Sequence, residues 1–546
     1  MDHLTGAGAL ALLIRDWAGG PAFHVPGEGI LELLDALEGA GVPLISCRHE
    51  AGAAVAAQAV GQVTGRPGIC LVGRAPGALN AALALHTART DGAPMILILG
   101  QPSRAIAGRE PYLANADFAQ TFAASAKWVG SCDSASRLVE MLSRAWAEAM
   151  GGRHGPVVLA LHEEVWHEEI PAASLPATPP MPPRPQAPGE ELDRLADALA
   201  AAQRPLIIAG GTGWRVEETR CLAQFAEESG IPVATAYRRR DLMPASHPLM
   251  VGELGIGADP ALARRVAEAD CLLVLGMRLG EINTFGANVF EGYRLIEAPV
   301  PAQAVHHIHP DPAELNTVYR TTTALLAHPG DVVAALRARG PKRREIGEWQ
   351  RDLRAAREAF TTGKPCPGPL DLNAVFKALR AALPHDAMLT VGAGAYAHWP
   401  QRYVAHEVFG TQLGPKSGAM GYGLPAAIGV QAAQPGRRVV AVAGDGCFLM
   451  QGEELATAAL YGLPVLTIVV NNSLYGAIAA SQSRMFGRRS GTALAPVDFT
   501  ALAGAMGVKG WKVTTTDAFA PALAAALAED GPTLIELITG EEALKP

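Results

Sequence analysis

Two polar motifs in the last quarter of the chain stand where apolar runs end. Asp445 lies in Gly444-Asp445-Gly446 after the run RRVVAVA, and Asn471-Asn472 follows LPVLTIVV. Because the carboxyl ends of parallel strands open on one edge of a sheet, the two motifs can converge. A carboxylate, an amide oxygen and a backbone carbonyl suit a hard divalent cation, and glycines admit a diphosphate to the backbone N–H groups. The pattern therefore predicts a site for a metal ion and a diphosphate.

Either motif alone is more often an ordinary turn. Their combination is far more specific, because the aspartate and the second asparagine are 27 positions apart, on strands that one helix brings side by side.

Glu50 is a candidate acid–base group. It lies in PLISCRHEAGAAVAAQ, after a strand-like run and at the start of an alanine-rich helix that is expected to be buried. A carboxyl group in that position suits proton exchange with a ligand. On its own, an acidic residue in a first helical turn is better explained by the helix dipole, and the GDG and NN motifs shift the preference to the acid–base role.

Apolar runs joined by helical patterns must position these residues. PGICLVG, PMILILG, RPLIIAG and DCLLVLG are typical of buried strands, with a helix predicted near 77–90 and another over EELATAALYG. Such alternation indicates parallel sheets covered on both faces. We expect an α/β protein with three doubly wound parallel-sheet domains over about 1–170, 190–340 and 365–546.

Two segments separate these domains. The proline-dense stretch PAASLPATPPMPPRPQAPG (171–189) predicts a stiff extended linker. The charged stretch PKRREIGEWQRDLRAAREAF predicts a surface helix, and the following TTGKPCPGP predicts a loop.

Composition narrows the class of protein. Hydrophobic residues make up 49%, charged residues 18%, and the formal charge is −8, without a basic tract, so we expect no nucleic-acid partner. The N-terminus has no basic region and reads as an amphipathic helix, and no apolar run is long enough for a membrane span. The expected location is the cytoplasm. The seven scattered cysteines include no C-x-x-C pair, so we expect neither a zinc site nor a disulfide framework.

The GDG and NN motifs resemble those of the thiamine diphosphate (ThDP) enzyme family, and the likeness extends over nearly the whole chain. It is strongest toward the acetolactate synthase-like branch, in RHEAGAAVAAQAVGQVTGRPG, APGALNAALALHTARTDGAPMILILGQ, SGAMGYGLPAAIG and GDGCFLMQGEELATA. The resemblance implies pyrimidine-binding, central and diphosphate-binding domains in that order.

The resemblance also implies a set of cofactor ligands. Asp445, Asn472 and the backbone carbonyl of Leu474 would bind Mg²⁺, and Glu50 would bond to the pyrimidine ring and start catalysis. Met420 would lie beneath the bent cofactor. The other positions implied to contact ThDP are Pro26, Gly27, Gly77, Asn80, Ala395, Tyr396, Gly418, Gly444, Gly446, Cys447, Tyr475 and Gly476.

In such relatives the glutamate and the diphosphate site come from different subunits. The resemblance therefore implies a homodimer or homotetramer with its active sites at the subunit interface.

Substrate positions depart from those of the relatives. The adjacent histidine pair of pyruvate decarboxylases is absent, since the matching region reads EPYLANADF, and Gly73 replaces the pocket histidine of benzoylformate decarboxylases. The Phe-Gln pair and the selective tryptophan of acetolactate synthases match Tyr112-Leu113 and Ser481. We therefore expect a roomier or more polar pocket.

Further pocket candidates follow from the same comparison. Glu28 matches a catalytic aspartate of pyruvate decarboxylases, although an exposed loop glutamate explains it equally well. Lys127 matches a lysine near the substrate entrance, although a surface lysine explains it as simply. The remaining candidates are His24, Arg74, Gln101, Ile478 and Gln482.

The expected reaction is decarboxylation of a pyruvate-like 2-oxo acid with carboligation, because the proton donors that release an aldehyde are missing. The alternatives are a non-ligating 2-oxo acid decarboxylase, which Glu28 would support, an acyl-CoA lyase or decarboxylase with ADP in its central domain, and a non-catalytic ThDP-binding paralogue. The joint presence of Glu50, Asp445 and Asn472 argues against the last.

The central domain offers weaker motifs. Residues 208–213 (IAGGTG) resemble a nucleotide-binding turn without the full G-x-G-x-x-G spacing. Arg278 matches one of two arginines that hold FAD in acetolactate synthases and the second is missing, so the sequence does not support FAD. His306, His307 and His309 invite comparison with a metal site. Only His307 and His309 share a strand face, and no third ligand is evident beside them, so we do not predict a metal there.

Overall fold

The chain is described by a computed structural model that covers residues 2–106, 109, 116–284, 295–541, 543–544 and 546. Within these residues, the chain forms three domains, each built on a six-stranded parallel sheet flanked by helices. The predicted α/β class and the three doubly wound domains are confirmed. Among the same residues, no helix combines the length and apolarity that crossing a membrane requires.

The N-terminal domain supplies the Glu50 side of the site. Its strands are β1 (His3–Thr5), β2 (Ala22–His24), β3 (Leu44–Ser46), β4 (Gly68–Val72), β5 (Met95–Gln101), β6 (Trp128–Cys132), β7 (Pro156–His162) and β8 (Glu169–Pro171). Its helices are α1 (Gly6–Ala18), α2 (Leu31–Gly39), α3 (Glu50–Thr64), α4 (Ala75–Asn80), α5 (Ala82–Asp91), α6 (Phe118–Phe122), α7 (Leu138–Met150) and α8 (Glu163–His167). The antiparallel pair β1–β8 fastens the N-terminus to the end of the domain.

The central domain follows the proline-rich segment. Its strands are β9 (Pro205–Ala209), β10 (Val233–Thr235), β11 (Met250–Glu253), β12 (Cys271–Leu275), β13 (Ala304–His309) and β14 (Thr323–Leu326). The helices are α9 (Gly189–Ala201), α10 (Val216–Ser229), α11 (Pro260–Glu268), α12 (Glu281–Thr284), α13 (Pro329–Ala338) and α14 (Glu348–Thr362).

The C-terminal domain carries the GDG and NN motifs. Its strands are β15 (Met388–Val391), β16 (Gln412–Leu413), β17 (Val439–Gly444), β18 (Val465–Asn471), β19 (Lys509–Val513) and β20 (Thr533–Ile538). Its helices are α15 (Leu372–Ala382), α16 (His398–Tyr403), α17 (Gly423–Ala433), α18 (Asp445–Phe448), α19 (Glu454–Leu460), α20 (Gly476–Phe486), α21 (Phe499–Ala505) and α22 (Thr516–Leu527).

The two outer domains share one topology. When the strands of each sheet are counted along the chain, the N- and C-terminal sheets both have the order 2-1-3-4-6-5, whereas the central sheet has the order 3-2-1-4-5-6. Consequently α3 and α17 occupy equivalent crossovers, and so do α4–α5 and α18–α19. In both outer sheets the order reverses between the first and third strands, which is where open α/β sheets bind ligands.

The buried strands lie where the apolar runs predicted them, because fully covered parallel strands are apolar throughout. The helix predicted near 77–90 is instead two helices, α4 and α5, that meet at Ala81. The charged stretch after the central domain forms α14 only from residue 348 onward, and the indole of Trp349 on this helix donates to the carbonyl of Pro205.

Helices α3 and α17 form the contact between the outer domains. Both are rich in alanine and glycine, so their backbones approach closely: a Cβ added to Gly429 would lie 2.3 Å from the carbonyl oxygen of Ala56. The hydroxyl of Tyr422, just before α17, donates to Gln62 near the end of α3 at 2.9 Å. The two helices therefore run in opposite directions across the contact.

Candidate active site

A cavity of about 270 Å³ opens at the carboxyl ends of β15, β17 and β18. It lies at the reversal of strand order in the C-terminal sheet, as the sequence predicts for the GDG and NN motifs. The predicted cofactor residues that line it are Ala395, Tyr396, Gly418, Met420, Gly444, Asp445, Gly446, Cys447, Asn472, Leu474, Tyr475 and Gly476, and the predicted substrate residue is Ile478.

The carboxylate of Asp445 joins the two motifs. Its Oδ1 accepts the N–H of Gly446 at 2.8 Å, and its Oδ2 accepts the N–H of Leu474 at 3.3 Å. Burial raises the pKa of Asp445, and these backbone donors work in the opposite direction. A divalent cation beside the carboxylate would offset the cost of burying its charge, so the donor set fits the implied metal.

Asn471, which the sequence analysis did not single out, shapes the turn that carries the predicted metal ligands. Its Oδ1 accepts the N–H of Ser473 at 3.1 Å, and its Nδ2 donates to the fully buried Glu536 at 2.7 Å. Ser473 has a φ of +51°, which a residue with a side chain adopts only where its surroundings enforce it. The first asparagine of the pair thus orients the second.

The glycines of the GDG motif keep this cavity open. A Cβ on Gly446 would lie 2.6 Å from the ring of Tyr475, and one on Gly444 would lie 2.6 Å from the ring of Tyr396. Any side chain at either position would fill the space beside Asp445. The cradle therefore fits a diphosphate that contacts the backbone directly.

Cys447 links the segments on the two sides of the cavity. Its sulfur accepts the hydroxyl of Tyr396 and the N–H of Gly421, both at 3.2 Å. Met420, beside that glycine, is half-buried and lines the cavity. These bonds hold the segment that carries Met420 against the GDG turn.

Glu50 lies in a second group, at the carboxyl edge of the N-terminal sheet. It is the first residue of α3 and is half-buried, and its Oε2 accepts the side-chain amide of Asn80 at 2.9 Å. A Cβ on Gly77 would lie 2.8 Å from the other carboxylate oxygen, Oε1. Three predicted cofactor residues therefore meet here, and one oxygen of Glu50 stays open beside a glycine.

Other predicted residues lie along the same edge. Burial lowers the pKa of His24 to about 4, and its ring contacts the hydroxyl of Ser46 at 3.0 Å. Arg74 forms an ion pair with Glu163. The remaining predicted positions of this edge are Pro26, Gly27 and Glu28 on the loop after β2, of which Pro26 and Glu28 are exposed, and Gln101, the last residue of β5.

Within one chain the two groups do not meet in one cavity. Tyr422 lies two residues after Met420 and meets α3 at Gln62, twelve residues beyond Glu50. At about 1.5 Å per helical residue, this places Glu50 roughly 18 Å along α3 from that contact. No described residue of the N-terminal domain lines the cavity around Asp445.

The structure does not support several substrate predictions. Lys127 lies at the amino edge of the N-terminal sheet, where its ammonium donates to the carbonyls of Gly151 and Arg153 at 2.7 and 2.8 Å, and these contacts give it a structural role. Ser481 and Gln482 lie beyond Ile478 on α20 and do not line the cavity. The hydroxyl of Ser481 donates to a carbonyl of its own helix. The side-chain amide of Gln482 exchanges hydrogen bonds with the backbone of the loop after α20. Tyr112-Leu113 falls outside the described residues.

The histidines of the central domain bond to protein groups. His306 contacts the hydroxyl of Thr323 at 3.0 Å, and His307 contacts the carbonyl of Met277 at 2.8 Å. Nδ1 of His309 accepts the N–H of Asp311 at 3.1 Å and lies 3.2 Å from the carbonyl oxygen of the same residue.

Arg278, the arginine that the sequence analysis compared with a flavin ligand, borders a separate cleft of about 130 Å³ and forms an ion pair with Glu314 at 2.8 Å.

Comparisons with known proteins agree with this arrangement. The chain matches the models of the thiamine pyrophosphate enzyme N-terminal TPP binding domain over residues 4–122, the central domain over 192–336 and the C-terminal TPP binding domain over 392–537. It is 30% identical to the acetolactate synthase isozyme 2 large subunit of Escherichia coli K12, covering 98% of this chain and 96% of the relative.

Two further relatives cover the chain almost completely. The acetolactate synthase large subunit of Corynebacterium glutamicum is 29% identical, over 99% of this chain and 88% of its own length. The putative thiamine pyrophosphate-containing protein YdaP of Bacillus subtilis is 30% identical, over 99% and 93%.

Proposed function

Since the chain belongs to the acetolactate synthase-like branch of the thiamine pyrophosphate enzyme family, we propose that it decarboxylates a pyruvate-like 2-oxo acid with ThDP and Mg²⁺ and ligates the product to a second carbonyl compound. The observation that carries this proposal is the cavity in which the GDG turn, the NN turn and the Gly418–Met420 segment converge on Asp445.

The residues of the cavity would divide the binding of the cofactor between them. Asp445, Asn472 and the carbonyl of Leu474 would hold Mg²⁺. The N–H of Cys447 would face the diphosphate, and Gly446, whose own N–H donates to Asp445, would leave room for it. When bound, ThDP supplies the carbon nucleophile and the electron sink for loss of CO₂. Ile478, exposed at the mouth of the cavity, would border the substrate.

Glu50 would hold a proton at the pyrimidine ring. Asn80 fixes one carboxylate oxygen, so the free oxygen beside Gly77 can bond to a ring nitrogen and exchange a proton with it. The absence of a side chain at Gly77 leaves that oxygen room for the contact.

The absence of any described residue of the N-terminal domain from the cavity around Asp445 supports a homodimer as the smallest active unit. Glu50 of the same chain does not line this cavity, whereas a second copy related by two-fold symmetry could bring its own Glu50 to it. Each dimer would then have two shared sites.

The surroundings of the pocket favour ligation over aldehyde release. His24 is neutral near pH 7, because burial lowers its pKa to about 4, and Gly73 offers no side chain. Neither can readily protonate an intermediate, so a second carbonyl compound can react in place of a proton. Glu28 supports the second candidate, a non-ligating decarboxylase, because it is exposed at the same edge and could supply that proton.

Product analysis tests these proposals. The purified protein is incubated with ThDP, Mg²⁺ and pyruvate, and then with a panel of other 2-oxo acids, alone and with aldehyde acceptors. Acetolactate from pyruvate supports the ligase. Acetaldehyde as the sole product would favour the decarboxylase, and no product from any 2-oxo acid would contradict both.

A further inference from the structure

Glu454, the first residue of α19, is a buried acid that the cofactor site does not use. Its side chain is 0% exposed. Oε1 accepts the N–H groups of Arg48 and His49 at 3.1 and 3.0 Å, and Oε2 accepts the hydroxyl of Thr457 at 2.6 Å. A carboxylate in the C-terminal domain therefore holds the backbone directly before Glu50 in the N-terminal domain.

These donors take the place of a cation. Across the described ranges, no ion pair reaches Glu454, and burial raises its pKa while the Thr457 hydroxyl and the two N–H groups act against that rise. The N-terminus of the fifteen-residue helix α3 favours negative charge, and hydrogen bonds to an ionised acceptor are stronger than neutral ones. The contact is therefore suited to a carboxylate and poorly suited to a neutral group.

The neighbours of Glu454 leave the start of α3 little freedom. A Cβ on Gly52 would lie 2.2 Å from Oε1 of Glu454, so the first turn of α3 rests on the carboxylate itself. At the other end of α19, the hydroxyl of Tyr461 accepts the N–H of Ser46 at 2.8 Å. Residues at the two ends of α19 thus hydrogen-bond to the two ends of the segment 46–49.

The N-terminal domain makes the reciprocal contact. Asp91, at the end of α5, accepts the N–H of Lys416 at 2.8 Å and is held by the amide of Gln58 at 2.9 Å. Lys416 lies two residues before Gly418. Since α4–α5 and α18–α19 are equivalent crossovers, each outer domain offers one buried carboxylate to the loop that precedes the equivalent helix of the other. The contact at Glu454 therefore has a counterpart on the other side of the domain interface, which indicates that it is part of how the two outer domains pack.

We propose that Glu454 is a positioning residue for Glu50: its buried charge fixes the residues before α3, so that the Glu50 carboxylate points at the pyrimidine ring of the cofactor. This inference rests on the proposed ThDP function. Glu454 does not line the diphosphate cradle of the same chain, so it acts on activation of the cofactor and not on its binding.

The test compares Glu454→Gln with Glu453→Gln, which changes the adjacent, half-buried glutamate. Glutamine keeps the size of the side chain and removes its charge. We expect the thiazolium C2 proton of bound ThDP to exchange with D₂O about 10–100-fold more slowly in Glu454→Gln, as for other groups that orient a functional residue. The exchange is followed by acid quench and NMR. ThDP affinity in excess Mg²⁺, measured by calorimetry, should be unchanged, and Glu453→Gln should match the wild type.

Gly52→Ala provides an independent second variant, because its methyl group would displace the same carboxylate without changing any charge. It should also slow the exchange and spare the affinity. Melting curves identify any variant that does not fold, in which case the other decides. Wild-type exchange rates in the folded variants would overturn the inference. A wild-type protein that binds no ThDP would instead overturn the proposed function, so the two failures are distinguishable.

Discussion

Glu50 and Asp445 are both carboxylates, and their neighbours suit them to different tasks. Glu50 is half-buried, has one oxygen held by Asn80 and keeps the other free, as a proton-exchanging group requires. Asp445 is buried, and both of its oxygens face backbone N–H groups at the mouth of a cavity. It is suited to carry a fixed negative charge that a cation can neutralise.

Replacing Glu50 by glutamine should leave ThDP binding intact and lower kcat by about 10²–10⁴-fold, because the amide can accept or donate a hydrogen bond but cannot exchange a proton in the required way. Turnover assays and calorimetry measure the two effects separately. Glu38→Gln, at an exposed position on α2, is the control. Unimpaired turnover in Glu50→Gln would remove this residue from the mechanism.

Asp445→Ala should abolish the Mg²⁺-dependent retention of ThDP, because it removes the only side-chain carboxylate among the proposed metal ligands. Chelation of the wild-type protein followed by gel filtration should have the same effect, and added Mg²⁺ should restore binding only in the wild type. Asp530→Ala, at an exposed position, should bind normally. Tight ThDP binding by Asp445→Ala would contradict the metal site.

At the scale of elements, the contact between α3 and α17 determines where both halves of the site lie. Small residues on both helices let the backbones meet, and the residues that precede the helices are tied by Glu454 and Asp91. A change in this contact therefore affects both Glu50 and the Met420 segment.

Gly429→Ala should lower the melting temperature. Its methyl group would lie 2.3 Å from the carbonyl oxygen of Ala56. Overpacking of this kind costs about 1–3 kcal/mol, which outweighs the roughly 1 kcal/mol that alanine gains over glycine within a helix. Calorimetry or circular dichroism measures the shift. Gly504→Ala, within α21, is the matched control, because a Cβ there meets nothing within 4 Å. Equal melting temperatures would show that the helices can separate at little cost.

At the scale of the whole molecule, the roughly 18 Å between Glu50 and the contact at Gln62 predicts sites that two chains share. Glu50→Gln and Asp445→Ala chains, each inactive alone, should regain activity when they are co-expressed with different tags and purified through both. One of the two sites in such a mixed dimer combines an intact Glu50 with an intact Asp445, so about half of the wild-type activity should return.

The matched control for this experiment is a mixed dimer in which both chains carry Glu50→Gln, which should remain inactive. Failure of the mixed dimer to recover activity while each chain still dimerises would mean that each site is built from one chain.

The predictable part of the fold rests on local patterns. Continuous apolar runs such as β4, β5, β17 and β18 are typical of strands covered on both faces, so they were predictable. The break between α4 and α5 at Ala81 was not predictable, because alanine favours helix and the residues on both sides of it are alanine-rich. The bonds of the Lys127 ammonium to the carbonyls of Gly151 and Arg153 were not predictable either, since matching to relatives cannot distinguish an ammonium that faces a pocket from one that donates to backbone carbonyls.

The sequence alone determined the residue types that can bind a metal-bound diphosphate and the strand ends that carry them, because strand periodicity and glycine content are local properties. Tertiary structure decided which of two adjacent glutamates, Glu453 or Glu454, is buried against α3. It also decided that no described residue of the N-terminal domain, Glu50 included, lines the cavity around Asp445 of the same chain. Both depend on which surfaces of two distant segments meet, and because hydrophobic burial is non-directional, neither segment by itself specifies its partner.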